Sequence, residues 1–158
     1  ITLLASQLLS ISKPLGTGTS NVGGWNKCTL GEFLDSRLLN AIPIQWRQLI
    51  KQVKVNSSSG NKSTEIVSSN NYIYIPCAIE LNPTMTEEPY CYEGAGINYF
   101  TTNASRICRA EDGIAYEYLT RSPNVQYNEY YFHIQDTGSL YGYFYPYYSA
   151  RLRIMFSI

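Results

Sequence analysis

Tyr141-Gly142-Tyr143-Phe144-Tyr145-Pro146-Tyr147-Tyr148 is the stretch on which the reading of this chain turns. With a period of two, Tyr141, Tyr143, Tyr145 and Tyr147 fall on one face of an extended segment, and Gly142, Phe144 and Pro146 fall on the other. Upstream, Tyr130, Phe132 and Ile134 point one way and Tyr127, Glu129, Tyr131, His133 and Gln135 the other, with Asp136-Thr137-Gly138-Ser139 as the turn between. Downstream, Leu152, Ile154, Phe156 and Ile158 make an apolar face opposite Arg151, Arg153 and Ser157, the pattern of a closing strand held within a sheet.

Ten of the fifteen tyrosines lie between Gly113 and Ile158, which makes this third of the chain the place to look for a surface with a task. Phenol rings are rigid and amphipathic with only two side-chain torsions, so a row of them binds other molecules at low entropic cost. Tyrosine is also simply a good strand residue, its ring half buried and its hydroxyl wet. The binding reading selects Tyr127, Asn128, Tyr131, His133, Tyr141, Tyr143, Tyr145, Tyr147 and Tyr148, with Asn124 and Ser149 as adaptable hydrogen-bonders. It places His133 as a surface ring among tyrosines.

Nearer the start, Gly16-Thr17-Gly18-Thr19-Ser20 and Gly23-Gly24 read as a flexible run, so residues 1–24 are expected to be the end of a linker or stalk, or to include a strand that pairs elsewhere in an assembly. Thr29-Leu30-Gly31-Glu32 has the spacing of a capping box, and Leu30, Phe33, Leu34 and Leu38 share one helical face, predicting a helix over 29–40. Pro43 opens a second, over 43–51, with Trp46, Leu49 and Ile50 as its buried stripe. A hairpin follows, from Val53 and Val55 through Asn56–Asn61 to Thr64–Ser68. Tyr72–Ile75 reads as a strand, Leu81–Tyr92 as a long loop and Ile97–Phe100 as a short strand. The expected fold is α+β: two short N-terminal helices packed on an antiparallel, twisted sheet, in one domain over 25–158.

Composition narrows the chemistry. Twelve basic and twelve acidic residues cancel, and no basic stripe offers a nucleic-acid backbone a surface. Nothing approaches the run of about 18 to 20 apolar residues that a membrane span requires. Cys28, Cys77, Cys91 and Cys108 are far apart, and with a single histidine no zinc-ligand spacing arises, so no metal or other cofactor is expected. Two disulfides in any of three pairings, or buried free thiols, are both open, with the apolar settings of Cys28 and Cys77 favouring thiols. A serine or cysteine nucleophile would have to work through His133, and no phosphate loop is present. Glu87-Glu88 and Glu111-Asp112 are sequence neighbours, whose side chains usually diverge in a loop. No enzyme is expected.

Thr29-Leu30-Gly31-Glu32-Phe33-Leu34-Asp35-Ser36, followed by a short second helix, resembles the opening of C-type-lectin-fold domains of gut bacteria and their phages. In that family a segment like Tyr118-Leu119-Thr120-Arg121-Ser122-Pro123 follows, there usually Trp-Leu-Arg-Ser-Pro, and the domain closes with a strand like Ile154-Met155-Phe156-Ser157-Ile158. The resemblance covers residues 25–158 and is sharpest at Arg121-Ser122-Pro123 and the C-terminus. Related folds include the variable proteins diversified by retroelements and phage receptor-binding tail proteins, with variable positions near the C-terminus rich in Tyr, Asn and Ser. Tyr118 and Thr120 depart from the usual Trp and Arg, and the Glu-Pro-Asn calcium–sugar motif of animal C-type lectins is missing.

What the resemblance implies is a C-type-lectin-like ligand-display domain of a phage tail or bacterial surface protein, located on a virion tail or an extracellular or cell surface. Its partners would be a host cell-surface protein or glycan and the parent fibre or surface polypeptide, with a homo-trimer among the assemblies allowed. A structural component that uses the tyrosine face for subunit assembly stands as the alternative, since tyrosine is enriched at interfaces too.

Overall fold

The computed structural model describes residues 1–84 and 93–158. In chain order the strands are β1 (Thr2–Leu4), β2 (Ser12–Pro14), β3 (Val53–Gly60), β4 (Ser63–Asn71), β5 (Ile73–Tyr74), β6 (Tyr118–Pro123), β7 (Tyr131–Ile134), β8 (Leu140–Phe144), β9 (Ser149–Arg151) and β10 (Met155–Ser157). The helices are α1 (Thr29–Phe33), α2 (Leu39–Ala41), α3 (Ile44–Arg47), α4 (Ala78–Leu81) and α5 (Asn103–Arg106), with a π-helical stretch, Leu34–Leu38, joining α1 to α2. Helices and largely antiparallel sheets give the α+β class.

Three sheets replace the single one expected. The largest runs β2-β9-β6-β7-β8 and contains one parallel pair, β6 with β9; β1-β10-β5 forms a second, and β3-β4 a hairpin. The C-terminal alternation predicts one closing strand, but the chain crosses between sheets at residues 152–154. There Leu152, Arg153, Ile154 and Met155 are all buried, so strict alternation ends with β9.

Residues 1–24 are not a connector. β1 pairs antiparallel with β10, Thr2 opposite Ser157, and β2 pairs with β9, Lys13 opposite Ala150. Between them Ala5 N–H donates to Ile154 O at 2.9 Å and Leu9 N–H to Leu152 O at 3.0 Å, so one ladder runs beside nearly the whole C-terminal segment. Leu8 and Leu15 are buried. This stretch satisfies much of its backbone through these ladders and buries Leu8 and Leu15, neither of which a solvated linker does.

The helical stripe is where the sequence places it: Leu30 and Leu34 are buried, with Phe33, Leu38 and Leu39 packed against the same core. The capping box does not form. Thr29 already lies in the first turn, the cap residue is Cys28, and its Sγ and the Thr29 hydroxyl both donate to Leu15 O, at 2.6 and 3.4 Å. Asp35 secures the helix to the sheet instead: Oδ1 accepts Tyr72 N–H and Ile73 N–H at 2.9 Å each, and Oδ2 accepts Asn71 Nδ2 at 2.9 Å. The second helix is one turn long, too short to bury a stripe. Ile50 is buried, whereas Trp46 is 62% exposed and Leu49 is exposed.

The expected hairpin forms, but Asn56–Gly60, read as its loop, continue β3 instead, pairing Asn56 with Ser68 and Ser58 with Ile66. The turn thus narrows to Asn61-Lys62, with an irregularity between Ser58 and Gly60. Ile97–Phe100 is a turn rather than a strand, closed by Phe100 N–H donating to Ile97 O at 3.0 Å. The long loop predicted over Leu81–Tyr92 begins as the last residue of α4; residues 85–92, with Glu87-Glu88 and Cys91, lie outside the described residues. Cys28, Cys77 and Cys108 are buried free thiols, and burial pushes the Cys28 thiol up to about 12 and raises the other two.

Arg121 and Ser122 sit in the interior, not on a surface. The Arg121 guanidinium grips the Glu80 carboxylate with two bonds of 2.8 and 3.0 Å and donates to Asn56 O and Ile75 O at 2.9 and 2.7 Å. Beside it Glu93 is buried, accepting Ser58 N–H at 2.7 Å and the Ser122 hydroxyl. The Ser122 oxygen also accepts Ala78 N–H at 2.8 Å. One buried polar knot thereby ties the β3–β4 hairpin, α4 and β6 together.

Candidate functional site, a tyrosine surface on an edge strand

β8 is an edge of the largest sheet. Its alternation sends Tyr141 and Tyr143 to solvent while Gly142 and Phe144 face inward, and the alternation in burial continues through half-buried Tyr145, buried Pro146 and exposed Tyr147. Gly142 is required by this packing. A Cβ there would stand 2.7 Å from Phe132 Cε1 and 3.0 Å from Asn124 Nδ2, closer than non-bonded atoms tolerate.

The rings form one contiguous surface. Tyr141 lies 5.3 Å from Tyr143, centroid to centroid, and Tyr143 lies 5.5 and 5.3 Å from Tyr127 and Tyr130. Tyr130 is 4.8 Å from Tyr145, which stacks on Tyr147 at 5.2 Å, and Tyr148 packs edge-on to Tyr147 at 4.7 Å. Tilted and edge-to-face contacts at these spacings are the favourable aromatic geometries. The Tyr130 and Tyr145 hydroxyls share a 3.1 Å hydrogen bond, which pushes Tyr130 up to about 12. Tyr143 is raised by its hydrogen bond with Tyr127, and Tyr147 by burial and then by Tyr148. These three are neutral phenols at physiological pH, hydrogen-bonding as donors and acceptors rather than acting as bases.

Tyr131 and His133 are elsewhere. At 3% and 4% exposed they are buried in β7, a strand covered on both faces, so the expected surface histidine is an interior ring. His133 packs 4.8 Å from Phe144 and edge-on to Tyr141 at 5.7 Å, so it supports the tyrosine surface from behind. Burial pushes its pKa down to about 4, and the ring is neutral at physiological pH despite the Glu117 carboxylate 3.5 Å from Nε2. A period-two reading puts Tyr131 and His133 on the face of Tyr127 and Glu129, but in a strand buried on both faces that alternation does not mark exposure.

Tyr127 and Asn128 are exposed on the loop between β6 and β7, and the residue that fixes this loop went unremarked in the sequence. Asn21 is fully buried. Its Nδ2 donates to Tyr130 O and Tyr127 O at 2.7 and 2.8 Å, with Asn124 O at 3.2 Å, while its Oδ1 accepts Asn61 N–H at 2.8 Å. Asn21 N–H donates to Asn128 O at 2.7 Å. The one available signal was its place just before Val22-Gly23-Gly24, a turn setting in which Asn commonly bonds backbone. Asn124 adds a further tie, its Nδ2 donating to Gly142 O at 2.8 Å, so it serves inside the scaffold rather than on the surface.

Among the described residues no group of three His, Cys, Asp or Glu side chains could hold a metal ion, and no helix is long and apolar enough to cross a membrane. Chemically, the arrangement offers a surface of aromatic rings held ring to ring, with phenol hydroxyls at its edge. Comparison with curated proteins and with solved structures finds no match. A family model described as a domain of unknown function, DUF6273, matches residues 2–158, and the chain belongs to that family.

Proposed function

We propose that this domain is a ligand-display module with a C-type-lectin-like fold, carried on a phage tail or a bacterial surface, that binds a host cell-surface protein or glycan through its tyrosine surface. The observation that carries the reading is the contiguity of Tyr127, Tyr130, Tyr141, Tyr143, Tyr145, Tyr147 and Tyr148, which touch ring to ring while several remain open to solvent. Interaction hot spots favour such rings on rigid backbones, because little entropy is lost on docking. The lectin-like part of the proposal draws on the early helices packed against sheet and on a closing strand, β10, held between β1 and β5. Diversification by a retroelement would act on these exposed codons and leave Asn21 and Gly142 untouched.

The test is binding of the domain to intact candidate host cells, against a variant with Tyr127, Tyr141, Tyr143 and Tyr148 changed to Ser. All four are exposed, so the variant should keep its fold, checked by circular dichroism. Loss of cell binding in a folded variant supports the reading. The alternative, a structural component that buries the same rings against another subunit, is favoured if neither protein binds cells and the variant loses an oligomer, such as a homo-trimer, that the parent forms.

A further inference from the structure

A second feature lies on elements that carry none of the patch tyrosines. Between β1, β5, β10 and the segment 95–100 opens a cleft of about 690 Å³, within the range of small-molecule sites. Its walls are apolar and aromatic, including Leu4, Tyr74, Ile97, Phe100 and Met155, and Tyr99 stands at the rim, 70% exposed and edge-on to Phe100 at 5.1 Å.

Arg153 also lines this cleft, although the residue is only 8% exposed. Its Nε donates to Ala5 O at 3.0 Å and Nη1 reaches the Tyr118 hydroxyl at 3.4 Å, while Phe100 and Tyr118 flank the guanidinium at 5.1 and 5.8 Å. Nη2 has no hydrogen-bond partner among the described residues. Nor does any described carboxylate pair with Arg153; the described ion pairs are Arg121–Glu80 and His133–Glu117. Glu80 lines the same cleft, but both its oxygens are held by Arg121. Among the described residues, the cleft thus holds a nearly buried cation with one edge of its fork unanswered, an edge to which a carboxylate can pair.

We propose that this cleft binds a small carboxylate with an apolar or aromatic body, the carboxylate docking on the Arg153 fork and the body lying against Ile97, Tyr99 and Met155. A free aromatic acid and the C-terminal residue of a peptide present the same chemistry. The site is independent of the tyrosine surface, so either can fail without the other.

The experiment is an amide-resolved NMR titration of the whole chain with phenylacetate, with the neutral isostere phenylacetamide, and with the peptide Gly-Ser-Gly-Phe bearing a free carboxylate. Saturable shifts at Ala95, Tyr99 and Phe100 are expected with phenylacetate, and about tenfold weaker binding with phenylacetamide, because the amide cannot pair bidentately with a guanidinium. Tyr99→Ala should weaken phenylacetate several-fold without moving Tm, since that ring is mostly exposed. Arg153→Lys, which keeps the charge but not the fork, should weaken it while leaving the spectrum folded. Tighter binding of the peptide at the same amides identifies a chain terminus as the ligand, and binding of phenylacetate alone identifies a free acid. Absence of saturable shifts with both carboxylates, or equal binding of acid and amide, overturns the proposal and leaves Arg153 as a clamp between Ala5 and Tyr118.

Discussion

Asn21 and Tyr127 are separated by more than a hundred residues, yet the Asn21 side chain donates to the Tyr127 carbonyl at 2.8 Å from a fully buried position. The segment that reads as a flexible connector thus shapes the loop from which Tyr127 and Asn128 project. Order in a surface loop is set by whatever satisfies the backbone beneath it, here one amide that reaches three carbonyls of the same loop.

Asn21→Ala takes the donor from the Tyr127 and Asn124 carbonyls and the acceptor from Asn61 N–H, while Tyr130 O keeps Asn124 N–H. A loss of about 3 kcal/mol in urea-unfolding free energy is expected, at the upper end for an unsatisfied buried group because more than one acceptor is orphaned. Amide exchange should rise most at residues 124–130. A change below about 0.5 kcal/mol, the scatter of ordinary surface substitutions, would show that water replaces the side chain without cost.

Gly142→Ala tests the packing under the tyrosine strand. The added methyl meets Phe132 and Asn124 Nδ2 at contact distances that neither can leave freely, since Asn124 donates back to Gly142 O. Overpacking of this kind costs about 1–3 kcal/mol. The variant should lower Tm and shift the Tyr141 and Tyr143 ring resonances. An unchanged Tm would mean that β8 moves outward on its free edge to make room.

Arg121→Lys probes the buried knot. Lysine keeps a charge but cannot span both Glu80 oxygens while donating to Asn56 O and Ile75 O, so acceptors are left bare. Removing one partner of a buried pair costs about 3–5 kcal/mol, and a lysine that keeps the charge but loses the fork and the carbonyl bonds should lose a good part of that. The readout is denaturant unfolding, and a loss under about 1 kcal/mol would sink the claim that this knot joins the hairpin to β6.

Some of this was legible in the chain and some was not, for definite reasons. The Leu30/Leu34 stripe, the β3–β4 hairpin and the Tyr141–Tyr147 alternation each express a local period against one buried face, which sequence displays directly. Tyr131 and His133 were misplaced because β7 is buried on both sides, where a period of two carries no information about exposure. The split of the closing strand was hidden because residues 152–155 are all buried, and no local pattern reports a change of sheet. Glu93 had no signal at all: a lone acid beside Gly94 is ordinarily solvated, and only the fold brings Ser58 and Ser122 to it.

Two buried titratable groups make opposing predictions about acid. Burial pushes Glu93 up from 4.5 to about 7 and His133 down from 6.5 to about 4. Glu93 has the raised pKa, so the stability it contributes is fully present below pH 4.5 and is lost as pH rises through about 7. His133 has the lowered one: below pH 6.5 the unfolded chain takes up a proton that the folded chain refuses, so stability falls as pH drops towards 4. Between pH 4.5 and 6.5 the two slopes, each approaching about 1.4 kcal/mol per pH unit, act against one another and should leave stability nearly flat. Glu93→Gln keeps an acceptor for Ser58 N–H and exposes the histidine slope, so that variant should lose stability on acidification across this window. His133→Phe exposes the other, and its Tm should rise as pH falls from 7 to 4.5. Parallel pH profiles in the parent and both variants would mean that neither side chain holds its shifted protonation state in the folded protein.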